Sequence, residues 1–183
     1  MYLAVLVLGF VCNSLSASTT WLCRQLGETR GRAATFILRN VLGIPVWVLG
    51  LALAVHTHSA PLFAPSVTAE ILGRCLLALG SVLIIVALSA LRGRAALPST
   101  HDPLIEHGPY AHVRHPIYSG LLLNLVAIVL VHPRRAVALA CALAVIWVFV
   151  QSRLEELDLV QRLPEYRGYM ARVPRFVPRL TRR

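Results

Sequence analysis

The sequence contains no lysine and only 8 acidic residues, which is little charge for a chain of 183 residues. Charged residues make up 14% of the chain and hydrophobic residues 57%, whereas a soluble domain carries about 25% charged residues. So few charges cannot cover a water-exposed surface of this size. The composition therefore excludes an ordinary soluble domain and predicts an integral membrane protein.

The basic residues are all arginine, and they give a formal net charge of +10. Nucleic-acid binding is one interpretation of such an excess. In a helical membrane protein, the positive-inside rule and contacts with anionic lipid headgroups explain the excess better. We therefore expect a membrane partner and no nucleic acid.

Metal-binding and disulfide patterns are also missing. The four cysteines form no CxxC pair and lie in or beside apolar runs, so we expect them to be small buried hydrophobic residues. The histidines show no metal-ligand spacing on one helix, and no metal site is predicted. No arginine precedes the apolar run that starts at Tyr2, so this run lacks the charged region of a signal peptide and is expected to be a real helix.

Five apolar segments predict an all-α bundle of about five transmembrane helices in a single domain, residues 1–183. Residues 1–91 are expected to hold the first three helices. The last two segments are short and are joined by only residues 132–135, which predicts an antiparallel hairpin followed by a helical tail. The predicted segments are 2–23, 36–55, 69–91, 116–131 and 136–150.

The arginines also predict an orientation. They concentrate between residues 24 and 39, in the third loop at residues 92–115, and in the tail after Gln151. With five spans, these three regions share one side, so we expect the N-terminus outside and the C-terminus in the cytoplasm. The preference for arginine over lysine and the abundant alanine indicate a GC-rich bacterial genome, and hence a bacterial inner membrane.

The third loop ends in a run that is suited to ligand binding. Gly108-Pro109 is a turn signal, and Pro116 stands where the fourth helix should start. A helix start offers free N–H groups and a positive dipole end, which suit a carboxylate. Tyr110 and Tyr118 place aromatic rings nearby.

The tail brings two adjacent carboxylates, Glu155 and Glu156, to the predicted membrane edge. Gln151 and Glu155 are four residues apart and share a helix face. Carboxylates at this depth are costly unless they meet a cation. We expect that cation to belong to a ligand. Pairing of a glutamate with Arg114, which would be structural, is one alternative. A solvated helix face that binds nothing is the other.

Several motifs follow one another in a fixed order in the second half of the chain. They are Gly108-Pro109-Tyr110, Arg114-His115-Pro116-x-Tyr118-x-Gly120, Glu155-Glu156-x-x-Leu159, Tyr166-x-x-Tyr169 and Val173-Pro174-Arg175-Phe176-Val177-Pro178. In this order and spacing the sequence resembles the isoprenylcysteine carboxyl methyltransferase family, within the wider group that includes phospholipid N-methyltransferases. The resemblance covers about residues 100–180. It implies an S-adenosylmethionine-dependent membrane methyltransferase with a lipophilic or lipid-linked acceptor, whose cofactor-binding core is residues 92–183.

The resemblance also implies site residues. Glu155 would contact the cofactor amine, with Glu156 beside it, and the start of the fourth helix would take the cofactor carboxylate. The cofactor-binding residues would be Leu104, Ile105, Tyr110, His115, Pro116, Ile117, Tyr118, Glu155 and Glu156. The candidate catalytic residues are Gln151, Arg153 and Glu156.

Gln151 marks a departure from the family pattern. Many members carry an arginine at this position, where it would meet the carboxylate of the acceptor. Arg153 is close in sequence but lies on a different helix face. The departure disfavours a carboxylate acceptor and leaves an amine, thiol, phenol or lipid headgroup open.

Two other functions compete with this one. Sterol-reductase-like oxidoreductases that use NADPH share a similar Arg-His-Pro and terminal proline pattern, but they are usually longer with more spans. A non-enzymatic haem-binding or accessory protein would need histidine pairs inside helices. Only His56 and His58 come close, and both lie at a predicted helix end.

Overall fold

The computed structural model describes residues 1–92 and 102–179, and its regular elements in these ranges are helices. Residues 93–101 of the predicted third loop and residues 180–183 of the tail lie outside the described residues. The order is α1 (Tyr2–Ser16), α2 (Thr19–Leu26), α3 (Glu28–Phe36), a π-helical segment (Ile37–Gly43), α4 (Ile44–His56), α5 (Val67–Leu91), a 3₁₀ helix (Gly108–Ala111), α6 (Pro116–Val131), α7 (Arg135–Arg162) and α8 (Tyr166–Arg172).

Three helical stretches are long and apolar enough to cross a membrane: Glu28–His56, Val67–Leu91 and Arg135–Arg162. The pair α1 and α2 makes a fourth candidate, bent by 68° between its two parts. Helix α6 has 16 residues, whereas a full span needs about 20. The predicted class, an all-helical integral membrane protein, is confirmed, while the predicted count of five spans stays a prediction.

The boundaries of the predicted segments differ from those of the helices. Segment 2–23 is interrupted at residues 17 and 18, where Ser16 donates to the carbonyl of Asn13 and Thr19 donates to that of Ser16. Such local side-chain bonds compete with helix continuation. Segment 136–150 is the apolar part of the 28-residue helix α7, which continues to Arg162.

Glycines allow the helices to pack closely in two pairs. A Cβ built at Gly80 of α5 would lie 2.6 Å from the carbonyl oxygen of Gly120 in α6, so the two backbones are in contact there. Gly9 of α1 meets the backbone of Trp47 in α4 in the same way. Helix α7 packs against both pairs and contributes Val137, Ala140, Ala144 and Trp147 to the main core.

Replacing Gly80 with alanine is expected to destabilise the protein by about 1–3 kcal/mol, because the added methyl group forces α5 and α6 apart. Gly168→Ala is the matched control, since a Cβ at Gly168 meets nothing within 4 Å. Thermal unfolding in detergent measures both. Equal midpoints for the two variants would show that the α5–α6 contact is not close.

The tail returns to the start of α6. The amides of Arg114 and His115 donate to the carbonyls of Pro174 and Arg175, at 2.8 and 3.0 Å. The hydroxyl of Ser119 donates to the carbonyl of Phe176 at 2.7 Å. These bonds hold residues 174–176 beside the first turn of α6, so the third loop, α6 and the tail form one end of the molecule.

Candidate functional site

A cavity of about 560 Å³ lies at this end of the molecule. The size falls within the range of ligand sites, roughly 300–1,000 Å³. Its wall is mainly apolar and is built from both halves of the chain. The first half contributes α1, α2, the π-helical segment, α4 and α5, and the second contributes residues 102–110, α6, α7 and α8. Polar groups converge on it at a few points, which is typical of a small-molecule site.

Glu155 is the carboxylate at the centre of this wall. Tyr118 donates its hydroxyl to Glu155 Oε1 at 2.6 Å, and Gln151 Nε2 donates to the same oxygen at 3.2 Å. Arg39 Nη2 lies 3.9 Å from that oxygen. The Glu155 side chain remains 23% exposed, so it is held in place and still open to a ligand cation.

The first turn of α6 lies next to Glu155. His115 precedes the helix and Pro116 is its first residue. The N–H groups of Ile117 and Tyr118 lie in the first turn of α6, where the helix provides no carbonyl to accept from them. Both residues line the cavity, so the positive end of the helix dipole is available to a ligand anion.

Three tyrosines line the wall near the tail: Tyr110, Tyr166 and Tyr169. Tyr169 donates its hydroxyl to the carbonyl oxygen of Tyr110 at 2.6 Å, which ties α8 to the 3₁₀ helix. Burial raises the pKa of Tyr169 to about 12 and raises those of Tyr110 and Tyr166 well above the usual value. All three hydroxyls stay protonated near neutral pH, so they act as apolar walls and hydrogen-bond donors.

A second carboxylate, Asp158, lines the cavity one helical turn after Glu155. It accepts from the amide of Thr20 at 2.8 Å and lies 3.3 Å from Arg162 Nε. These contacts join α7 to α2. The sequence left Asp158 without an assigned role, although its spacing of three from Glu155 places both on one helix face.

Glu156 lies behind the cavity wall, and its side chain is fully buried. Arg114 Nη2 lies 2.9 Å from Glu156 Oε1, Arg175 donates to both carboxylate oxygens, and His115 Nε2 lies 3.2 Å from Oε1. Arg114 also donates to the carbonyls of Met170 and Val173. Glu156 therefore joins α7, the start of α6 and the tail, the arrangement that the alternative pairing with Arg114 predicted.

The predicted site residues separate into two groups. Gln151 is buried against the carbonyl oxygen of Asn13, and the Arg153 side chain is 57% exposed with its guanidinium 3.9 Å from Glu156. These two residues, Glu156 and Pro116 are not part of the cavity lining. The predicted residues that line the cavity are Leu104, Ile105, Tyr110, His115, Ile117, Tyr118 and Glu155.

Sequence reasoning missed the contribution of the N-terminal helices. Asn13, Arg39 and Trp47 line the cavity, but their positions in the sequence indicate only apolar spans or loop charge. A signal was present, because Arg39 and Asn40 are polar residues inside the predicted apolar segment 36–55. Polar residues at such positions mark functional sites in membrane helices.

The geometry defines an integral membrane protein with a ligand-sized cavity at one end of its helices. Residues 71–161 match the model of the isoprenylcysteine carboxyl methyltransferase (ICMT) family, so this segment of the chain is similar to that family. The match includes α6 and the carboxylates of α7. The resemblance inferred from the motifs is thereby confirmed.

One curated relative is the cobalt-zinc-cadmium resistance protein CzcN of Cupriavidus metallidurans, which is 33% identical over 82 residues. That region covers 44% of this chain and 38% of the relative, so the chain spans well under two thirds of the relative's length. No solved structure matches the chain. Within residues 1–92 and 102–179, no group of three or more metal-ligating side chains is present.

Proposed function

We propose that this protein is a membrane methyltransferase that uses S-adenosylmethionine to methylate a lipophilic or lipid-linked acceptor. The observation that carries the proposal is the convergence of Glu155, Tyr118 and the first turn of α6 on one ligand-sized cavity. The match of residues 71–161 to the methyltransferase family supports the reaction class.

The residues of the cavity fit the chemical groups of S-adenosylmethionine. The Glu155 carboxylate would hold the amine of the cofactor. The N–H groups of Ile117 and Tyr118 would hold the carboxylate of the cofactor. Leu104 and Ile105 give apolar surface for the adenine. The bound cofactor supplies an electrophilic methyl group on a sulfonium, and aromatic faces such as that of Trp147 stabilise such cations.

The protein's own contribution to methyl transfer is alignment and exclusion of water, because an in-line displacement at a methyl group needs both. The fixed bonds from Tyr118 and Gln151 hold the Glu155 carboxylate in one orientation. The buried Tyr169–Tyr110 bond keeps α8 closed over the same side of the cavity.

The acceptor is proposed to enter from the bilayer between α4 and α5. Ile44 and Trp47 of α4 and Leu88 and Leu91 of α5 line the cavity. Helix α5 packs on α6, whereas α4 packs on α1 and α7. An apolar chain lying between α4 and α5 would therefore reach the cavity without crossing the polar end of the protein.

The orientation and the location are proposed as the arginine distribution predicts them: N-terminus outside, C-terminus in the cytoplasm, in a bacterial inner membrane. The single domain over residues 1–183 is likewise proposed. Since residues of 1–91 line the cavity, the cofactor-binding unit includes the N-terminal helices as well as residues 92–183.

Calorimetric titration of S-adenosylmethionine, its demethylated product S-adenosylhomocysteine, and NADPH into detergent-purified protein tests the proposal. Saturable binding of the first two compounds, and not of NADPH, is the expected result. Binding of NADPH alone would favour the reductase alternative. Binding of none of the three, in protein with an intact thermal transition, would contradict the proposed cofactor.

A further inference from the structure

A second cavity lies at the other end of the helices, where α4 and α6 end and α5 and α7 begin. Its volume is about 690 Å³. Its wall comes from the loop between α4 and α5, residues 58–65, and from the turn between α6 and α7, residues 131–134. The two cavities share no lining residue. The second cavity is therefore a separate candidate site, which the proposed methyl transfer does not use.

Hydrogen bonds fasten the loop to the turn and give the second cavity a fixed shape. The first two amides of α7 donate to the loop: Arg135 to the carbonyl of Ala60 at 3.0 Å, and Ala136 to the hydroxyl of Ser59 at 3.1 Å. A third bond, at 2.7 Å, runs from the loop back to the turn. Because these amides of α7 already have acceptors, side chains must supply the recognition of a ligand.

The side chains of the second cavity favour an anion. Arg134 is exposed, and its guanidinium makes no ion pair with any residue in ranges 1–92 and 102–179. His58 and His132 line the same wall, and imidazoles can donate hydrogen bonds. None of the described residues in this wall is acidic. Glu70, in the first turn of α5, pairs with Arg74 at 2.6 Å. The cavity thus offers a cation and donors, and it offers no carboxylate to a ligand cation.

The length of α6 places this arginine at the level of the lipid headgroups. Helix α6 has 16 residues, which is about 24 Å at the rise of an α-helix, whereas the apolar core of a bilayer is about 30 Å thick. The turn that follows α6 is therefore drawn towards the boundary between acyl chains and headgroups. An arginine at that depth is costly unless it meets an anion, and lipid phosphates are the anions found there.

Apolar surface beside the cation indicates that the phosphate belongs to a lipid. Pro61, Pro65 and Val131 line the cavity, and the neighbouring side chains of Leu62 and Phe63 are 50% and 37% exposed. A free phosphate ion would leave this surface uncovered. The glycerol backbone and acyl chains of a phospholipid would cover it, which is favourable in proportion to the apolar area removed from water.

We propose that the second cavity binds the phosphate of an anionic phospholipid whose headgroup carries no cation, of the phosphatidylglycerol type. The Arg134 guanidinium pairs with the phosphate, and His58 and His132 donate to its remaining oxygens. A choline or ethanolamine headgroup would bring its own cation beside Arg134 and would find no carboxylate in the wall. A lipid bound there would hold the loop and the turn together at this face of the membrane.

Calorimetric titration of dihexanoyl phosphatidylglycerol tests this site. The protein is kept in uncharged detergent micelles at about 0.15 M salt, where attraction between distant charges is screened. The comparison ligands are dihexanoyl phosphatidylcholine, glycerol 3-phosphate and inorganic phosphate. We expect phosphatidylglycerol to saturate one site at a concentration at least about tenfold lower than any of the other three, as a charge-assisted contact together with apolar burial implies.

Two arginine variants locate the binding. Arg134→Gln should weaken phosphatidylglycerol binding about tenfold or more, because it removes the charged partner of the phosphate. Arg24→Gln is the matched control, since it removes the same charge from an exposed arginine of α2 at the other end of the molecule. It should leave the affinity unchanged. Without lipid, both variants should keep the thermal midpoint of the unmodified protein, because both side chains are exposed.

Three results would overturn the proposal. Equal affinity for phosphatidylglycerol and phosphatidylcholine would show that the wall does not select an anionic headgroup. An equal loss of binding in Arg134→Gln and Arg24→Gln would show only diffuse attraction by the net positive charge. Binding of inorganic phosphate or glycerol 3-phosphate as tight as that of the lipid would assign the cavity to a soluble phosphate compound.

Discussion

Glu156→Gln is expected to destabilise the protein by about 3–5 kcal/mol, since removing one partner of a buried ion pair leaves the other charges uncompensated. Arg114 and Arg175 both lose their carboxylate, and the Arg114 side chain is only 10% exposed. The three elements joined by this cluster are α7, the start of α6 and the returning tail. Their separation would open the cavity wall near His115.

Thermal unfolding in detergent, followed by circular dichroism, measures this effect. Arg153→Gln is the matched control. The Arg153 side chain is exposed, and its guanidinium lies 3.9 Å from the Glu156 carboxylate. The control should change the midpoint little. An unchanged midpoint for Glu156→Gln would show that the arginine cluster does not hold the tail to α6.

Glu155→Gln is expected to leave the fold intact and to weaken S-adenosylmethionine binding by about 10- to 100-fold, the value of one hydrogen bond to a charged group. Glutamine keeps an oxygen that can accept from Tyr118 at the position where the carboxylate accepts now. It removes the negative charge that is proposed to hold the cofactor amine. The two adjacent glutamates therefore have opposite expected effects, one on stability and one on binding.

Calorimetry on Glu155→Gln and on Glu165→Gln measures the binding loss. Glu165 is an exposed residue beyond the end of α7, so its variant should bind as the unmodified protein does. Equal affinity of the two variants, with matching thermal midpoints, would remove Glu155 from the binding site.

Local spacing placed Tyr118 and Glu155 on their helices, while their roles stay predictions. Tyr118 follows the proline that begins α6, and Glu155 lies on the continuation of the last helix, so each could be placed from its own helix. The structure brings the Tyr118 hydroxyl to 2.6 Å from the Glu155 carboxylate. The family resemblance then supplied the expected ligand.

The sequence could not separate the roles of Glu155 and Glu156. Adjacent residues on a helix point about 100° apart, and either could have faced the cavity. The outcome depends on Arg175, which the returning tail brings to Glu156. That contact is made across the fold, and periodicity within one helix carries no information about it.

Arg39 shows the same limit for the first half of the chain. Its place in the apolar segment 36–55 was a signal, but periodicity within one helix does not indicate which helices pack together. The close contact of Gly43 with Asn13 places Arg39 beside Glu155. Residues of the first half of the chain thus form one wall of the cavity, and residues of the family motifs in the second half form the other.

Ultraviolet cross-linking of S-adenosylmethionine labelled in its methyl group would test whether this cavity binds the cofactor, because the label marks the residues that contact it. After proteolysis, we expect label in peptides covering residues 102–118 or 155–169. Excess S-adenosylhomocysteine should suppress this label, and NADPH should not affect it. Label confined to other helices, or label that S-adenosylhomocysteine does not suppress, would contradict the assignment of this cavity to the cofactor.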